Sequence, residues 1–126
     1  MGSPIKGRPT NAKDALLHWC YMKTKDYDNV RIENFSSSWS NGLAFCALLH
    51  KFFPDNINYS ELTPDDRRKN FDLAFKVAEE KAKVVPLLET DDMIKMGDNP
   101  DWKCVYTYVQ SLYRGLKPYD PTQNPK

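Results

Sequence analysis

The sequence predicts an all-α fold, a compact bundle of four main helices plus short connecting helices. Four segments place apolar residues at the i, i+3, i+4, i+7 spacing of one helix face. They occupy roughly half of the chain, against about one-third helix in an average globular protein. No segment shows the alternation of period two that marks a half-buried strand. Helix starts are signalled by Asn, Ser or Thr, and three of the four stops by Pro.

The first helix is expected over residues 12–24. Asn11 is its cap, and Asp14 completes a variant of the capping box. Ala12, Ala15, Leu16, Trp19 and Cys20 form its core stripe, while Lys13, Asp14, His18 and Tyr21 fall toward water. The second is expected over 41–53, with Ser40 as cap. Its run from Leu43 through Leu49 leaves almost no polar face, which marks a buried central helix. Pro54 stops it, because proline cannot continue the hydrogen-bond ladder.

The third helix takes Thr63 as cap and Pro64 as its first residue, with Asp65 and Asp66 at the positive end of the dipole. Phe71, Ala74, Phe75, Ala78, Ala82 and Val85 form its apolar face, and Pro86 closes it. Asp72–Lys76 and Glu79–Lys83 are spaced for i,i+4 ion pairs. A helical turn is expected over 90–96. The fourth helix, over 100–117, begins with Asn99 as cap and carries Trp102, Val105, Val109, Leu112 and Leu116 on its core side. Gly115 and Pro118 mark its end. The loops 25–40 and 54–62 hold Ile32, Phe35, Trp39, Ile57, Tyr59 and Leu62, which are expected to be pinned onto the helices. Residues 1–10 and 118–126 read as a disordered head, in part an expression remnant, and a disordered Pro-rich tail. This leaves one domain over 11–117.

Composition agrees and excludes several classes of function. With 126 residues, 40% hydrophobic and 13% aromatic, the chain can build a core without disulfides or metal. The formal net charge of +1 gives no whole-molecule footprint for nucleic acid or an anionic membrane. A mean hydropathy of -0.68 and the lack of a long apolar run exclude a membrane span, and no signal peptide is expected behind Met1-Gly2-Ser3-Pro4. Cys20, Cys46 and Cys104 sit within apolar helical patterns and read as three reduced, buried thiols of a cytoplasmic protein.

Catalytic and cofactor signatures are missing. The 5 glycines form no phosphate-binding loop, and there is no G-x-S-x-G elbow. Two His and three scattered Cys do not give a metal-ligand spacing. Cys46 and His50 share a helix face, which reads as a core thiol beside a hydrogen-bonded histidine. Asp65-Asp66 and Asp91-Asp92 read as helix-start residues, and Arg67-Arg68-Lys69 as a solvated helix start. No catalytic, cofactor or metal residue is assigned.

Four blocks in order carry a family resemblance. They are 16–20 (LLHWC), 34–50 (NFSSSWSNGLAFCALLH), 70–75 (NFDLAF) and 100–109 (PDWKCVYTYV). Together they resemble the calponin homology domain across about residues 12–117. The likeness is to its second type, as found in smoothelins and smoothelin-like proteins, with cytospins the nearest alternative. The resemblance implies a non-enzymatic module of a larger, actin-associated protein, cytoskeletal in location and monomeric. In tandem members the first helix of the second-type domain is an auxiliary actin contact. On the matching segment here the candidates for weak contact with filamentous actin are Lys13, His18, Tyr21, Lys23 and Lys25. A single such face falls in the weak interface class, below ~1,200 Å², so avidity from other segments of the parent protein is expected. The alternative is a regulatory module that binds calmodulin, tropomyosin or another signalling protein. Its docking surface would be Lys103, Gln110, Arg114 and Lys117, testable by truncation before Pro118.

Overall fold

A computed structural model describes residues 11–120. Its helices are α1 (Ala12–Thr24), α2 (Leu43–Phe52), α3 (Arg67–Ala82), α4 (Thr90–Met96) and α5 (Trp102–Leu116). Among the described residues, 3-10 turns at Ser37–Trp39, Pro54–Asn56 and Tyr59–Glu61 lie between helices, and one at Lys117–Tyr119 follows α5. No strand occurs among the described residues, so the all-α expectation holds.

Helix α2 is the centre, with every residue from Leu43 to Leu49 buried. It starts later than expected. Ser40 spends its hydroxyl on the Ser37 carbonyl. The cap is Gly42 at φ +85, and the Asn41 side chain accepts the Leu43 N–H at 2.9 Å. Gly42 is needed twice over. Its left-handed backbone disfavours a Cβ, and a Cβ there would lie 2.7 Å from Cβ of Asn70 on α3. The Asn70 amide donates to the carbonyls of Asn41 and Thr63, tying the entries of α2 and α3 together.

Helix α3 also begins late. Thr63 accepts from the Asp65 N–H in a preceding turn, and Asp66 is the cap, accepting from the Lys69 N–H. The helix ends at Lys83, held at φ +60. The N–H groups of Lys83 and Val84 both return to the Ala78 carbonyl and close the helix end. That turn buries Val84 and swings Val85 outward to 66% exposure, which corrects its place on the apolar face. Neither expected intrahelical pair forms. The Asp72 carboxylate takes the Thr90 hydroxyl, and Lys83 has left the helix. The basic run at the start of α3 is matched instead by Arg67–Asp98 and Arg68–Asp91 ion pairs.

Helix α5 is capped by Asp101, not Asn99. Its core side is Val105, Tyr108, Val109, Leu112 and Leu116. Trp102 lies beyond the end of that stripe and is 40% exposed, a correction to its expected burial. Gly115 does not end the helix. It lets α5 approach α3, since a Cβ there would meet Cγ2 of Val84 at 2.6 Å. Loop residues Ile32, Phe35, Trp39 and Ile57 are buried, and Tyr59 and Leu62 pack against the core as expected. Rings of Trp39, Phe45, Phe75 and Tyr108 interlock at 4.7–5.7 Å between centroids.

Two expectations about α1 and the tail are corrected. Trp19 and Cys20 are buried as expected, but Leu17 and Thr24 join them in the core while Ala12 and Ala15 are exposed. The core-facing stripe is rotated from the expected one because α1 leans on α2 and α5 with different sides. The tail is ordered through Asp120. Its carboxylate is fully buried and accepts from Trp19 Nε1 at 3.1 Å and Lys23 Nζ at 2.9 Å. Tyr119 packs edge-on against Phe53 at 5.1 Å. Residues 1–10 and 121–126, the rest of the predicted head and tail, lie outside the described residues.

Replacing Asp120 by Ala strands a buried indole N–H and removes a charge-assisted bond. The expected loss is about 2–3 kcal/mol, or a fall in Tm of roughly 10 °C, read by thermal unfolding. A truncation before Pro118 should lose at least as much. An unchanged Tm in both variants would show that the tail contact is not formed in solution.

Candidate interaction surface

Lys13 and Trp102 meet where α1 and α5 begin. The Lys13 ammonium sits 3.6 Å above the Trp102 ring, a cation–π contact. Further along, Trp19 meets Tyr113 edge-on at 4.9 Å, and Lys117 Nζ stands 6.0 Å from the Tyr113 ring centre. The two helices therefore run side by side in the same direction. Between them lies an open groove of about 460 Å³. Ala12, Ala15, Leu16 and Trp19 line one wall, and Tyr106, Gln110, Tyr113 and Arg114 the other.

The five α1 candidates do not share one face. At 100° per residue, positions 18, 21 and 25 fall together on the side away from the groove. There, Lys25 is exposed and Tyr21 is packed against the core edge. His18 has its Nδ1 buried without a hydrogen-bond partner. Lys13 is exposed at the helix start, but engaged with Trp102. Lys23 falls on the groove side, and its ammonium is held by Asp120 with only 13% of the side chain exposed. The α5 candidates behave differently. Lys103, Gln110, Arg114 and Lys117 follow i, i+7, i+11, i+14 and so share one face. Gln110 and Arg114 reach into the groove wall.

Cys46 and His50 do not join as a catalytic pair. The Cys46 thiol donates to the Asn70 carbonyl at 3.2 Å. The His50 ring shares a 2.8 Å hydrogen bond with the Tyr27 hydroxyl. Burial pushes the Cys46 thiol up to about 12 and raises Cys20 further still. Tyr59 is pushed up to about 12 by burial, then by the neighbouring Cys46, Asp28 and Tyr27. Among the described residues, no group of three or more His, Cys, Asp or Glu is placed to hold a metal ion. No described helix is long and apolar enough to cross a membrane. Cys104 is exposed, which corrects the expectation of three buried thiols.

Sequence reasoning missed the groove itself and the bridging role of Asp120. The signal for the groove was present in part. Two alanines one turn apart on α1 and two tyrosines seven apart on α5 are small and large residues that complement each other. Nothing local signals Asp120, whose partners lie 101 and 97 residues away.

Only one thiol should react with an aromatic disulfide reagent in the native protein, and a Cys104→Ser variant should abolish that fast phase. All three should react in denaturant. Because the folded pKa of Cys46 is raised from 9.0 to about 12, the stability tied to its protonated form is intact below pH 9 and lost as pH climbs toward 12. Equilibrium unfolding across that range checks the sign.

Comparison with known proteins is consistent with this architecture. The calponin homology (CH) domain model matches residues 10–117. Smoothelin-like protein 1 of Homo sapiens is 59% identical over 104 residues, covering 82% of this chain and 21% of that protein. The Mus musculus protein of the same name is 58% identical over 104 residues, 82% of this chain and 22% of its own. Cytospin-A of Xenopus tropicalis is 50% identical over 102 residues, 81% of this chain and 9% of that protein. The chain thus spans about a fifth or less of these relatives. The resemblance carried by the four sequence blocks stands, and the chain belongs to the calponin homology domain family.

Proposed function

We propose that this chain is a non-catalytic, cytoskeleton-associated interaction module that contacts actin filaments weakly through the outer side of α1. The observation that carries this reading is the match of nearly the whole described chain to the calponin homology domain, shared with smoothelin-like protein 1 and cytospin-A. The side chains that support it are Lys25, Tyr21 and His18 on one face, with Lys13 at the helix start. Lys23 is left out of this proposed face because its ammonium is bonded to Asp120. One cationic face on a chain of net charge +1 gives little long-range steering. Useful affinity then depends on further segments of a longer parent protein, and location on the cytoplasmic cytoskeleton follows from the same reading.

A second reading is favoured by the single face formed by Lys103, Gln110, Arg114 and Lys117. On it the domain recruits an acidic regulatory protein such as calmodulin, or tropomyosin, and ignores actin. Truncation before Pro118 does not separate the two readings, because it also removes Asp120 from beneath Trp19. Arg114→Glu is the cleaner probe, since Arg114 is exposed and donates only to the neighbouring Ser111 hydroxyl.

Co-sedimentation with filamentous actin across a salt series tests the primary reading. Pelleting should be saturable at low salt and fall as salt screens the contact. Lys13→Glu with Lys25→Glu should weaken it at least about fivefold, or roughly 1 kcal/mol, with unchanged helicity. Lys23→Glu is not a suitable probe, because it sets a carboxylate against Asp120. No pelleting at roughly tens of micromolar domain, the weak-affinity regime, would overturn actin contact by this domain.

A further inference from the structure

The groove between α1 and α5 is lined mainly by apolar and aromatic side chains, and the actin reading leaves it unused. Its walls are each built from residues seven positions apart, Ala12 to Trp19 and Tyr106 to Tyr113. That is two helical turns, about 10 Å. From this geometry we infer that the groove is a docking site for an acidic amphipathic helix of a partner protein.

Shape argues for a helix. An extended segment laid in an apolar groove would carry unpaired backbone N–H and C=O groups out of water, whereas a helix satisfies its own. The two parallel walls offer ridges into which a third helix packs at i, i+3, i+4 and i+7. Ala12 and Ala15 are exposed and small, so an incoming helix can approach the α1 backbone closely. Composition argues for a binding surface. Trp19, Tyr106, Tyr113 and Arg114 are of the residue types that dominate binding hot spots. The aromatic rings are already fixed, Trp19 against Phe52 and Tyr113, and Tyr106 against Phe35. Little side-chain freedom is therefore left to lose on binding.

Charge argues for an acidic partner. No lining residue is acidic. Lys13 stands at one end, with Arg114 and Lys117 toward the other, all exposed. Asp120, a carboxylate near that end, is fully buried and already engaged with Lys23. A helix with a two-turn apolar stripe flanked by Glu or Asp complements both the floor and the rim. The groove shares only Lys13 with the actin candidates, whereas Gln110, Arg114 and Lys117 belong to the second reading above, which this inference deepens.

The test uses the whole chain and a synthetic peptide of about 20 residues held helical by an i,i+4 side-chain lactam, with Leu at i, i+3, i+4 and i+7, Glu flanking that stripe and Ala elsewhere. Its counterpart carries Lys in place of Glu. Backbone amide resonances of Ala12, Ala15, Tyr106 and Gln110 should shift saturably with the Glu peptide, with Kd below roughly 1 mM. The Lys peptide should bind at least about tenfold more weakly. Arg114→Glu should reduce Glu-peptide affinity about tenfold and narrow or reverse the preference, and Ala15→Glu should block both peptides with Tm unchanged. The inference is overturned by no saturable shift, by equal binding of the Lys peptide, or by shifts that map away from the groove. Two further outcomes name a different occupant and overturn it equally. In one, the groove resonances change with protein concentration as a dimer forms. In the other, they change on deletion of residues 1–10 before any peptide is added.

Discussion

Everything in this fold follows from the need to keep α2 dry on every side. Its stretch from Leu43 to Leu49 has no polar face to offer solvent, so the rest of the chain must enclose it. Helix α3 covers one side, with Phe71 and Phe75 against Phe45, and α1 another, while α5 reaches α2 through the Tyr108 ring against Phe45. The long loop before α2 closes the remainder with Phe35 and Trp39, whose indole N–H is satisfied by the Asn34 carbonyl. The entry to α2 is the tightest point. A glycine there is fixed both by its left-handed backbone and by the Asn70 side chain that links two loops across it. Gly42 and Asn70 therefore set the angle at which α2 and α3 meet, and with it the position of the aromatic cluster.

Most of this architecture was legible in the residues. The apolar run of α2, the Asn11 cap and the short helix over 90–96 all reflect local chemistry, and the structure forms them where that chemistry says. Errors arose where tertiary packing chose among local options. Thr63 and Asp66 are both competent caps, and contact with the α2 entry decides for Asp66. Val84 and Val85 are equally apolar, and a single left-handed residue, Lys83, decides which is buried. Helix α1 has apolar residues on two sides. One faces the core and the other α5, and the period of 3.6 cannot tell them apart.

The candidate surfaces show the same division. Spacing alone placed Lys103, Gln110, Arg114 and Lys117 on one side of α5. It did not separate Lys23 from Lys25, two neighbouring lysines with opposite roles. One is a nearly buried partner of a distant carboxylate, and the other is solvated. A cluster of basic residues on a short helix is therefore a poor guide to a filament contact until the partners of each are known. Here that partner arrives from the far end of the chain.

The reach of that contact has a consequence for how the domain is made. Trp19 and Asp120 are 101 residues apart. A ribosome adding about 5–20 residues per second exposes α1 for roughly 5–20 s before its carboxylate is synthesised. During that interval the indole N–H has no buried acceptor, and the apolar side of α1 has neither α5 nor the C-terminal turn beside it. Completion of α1 is thus a late, long-range step that awaits nearly the whole described chain. The nascent domain depends for that time on the solubility of its polar outer side, or on a chaperone that shields the other.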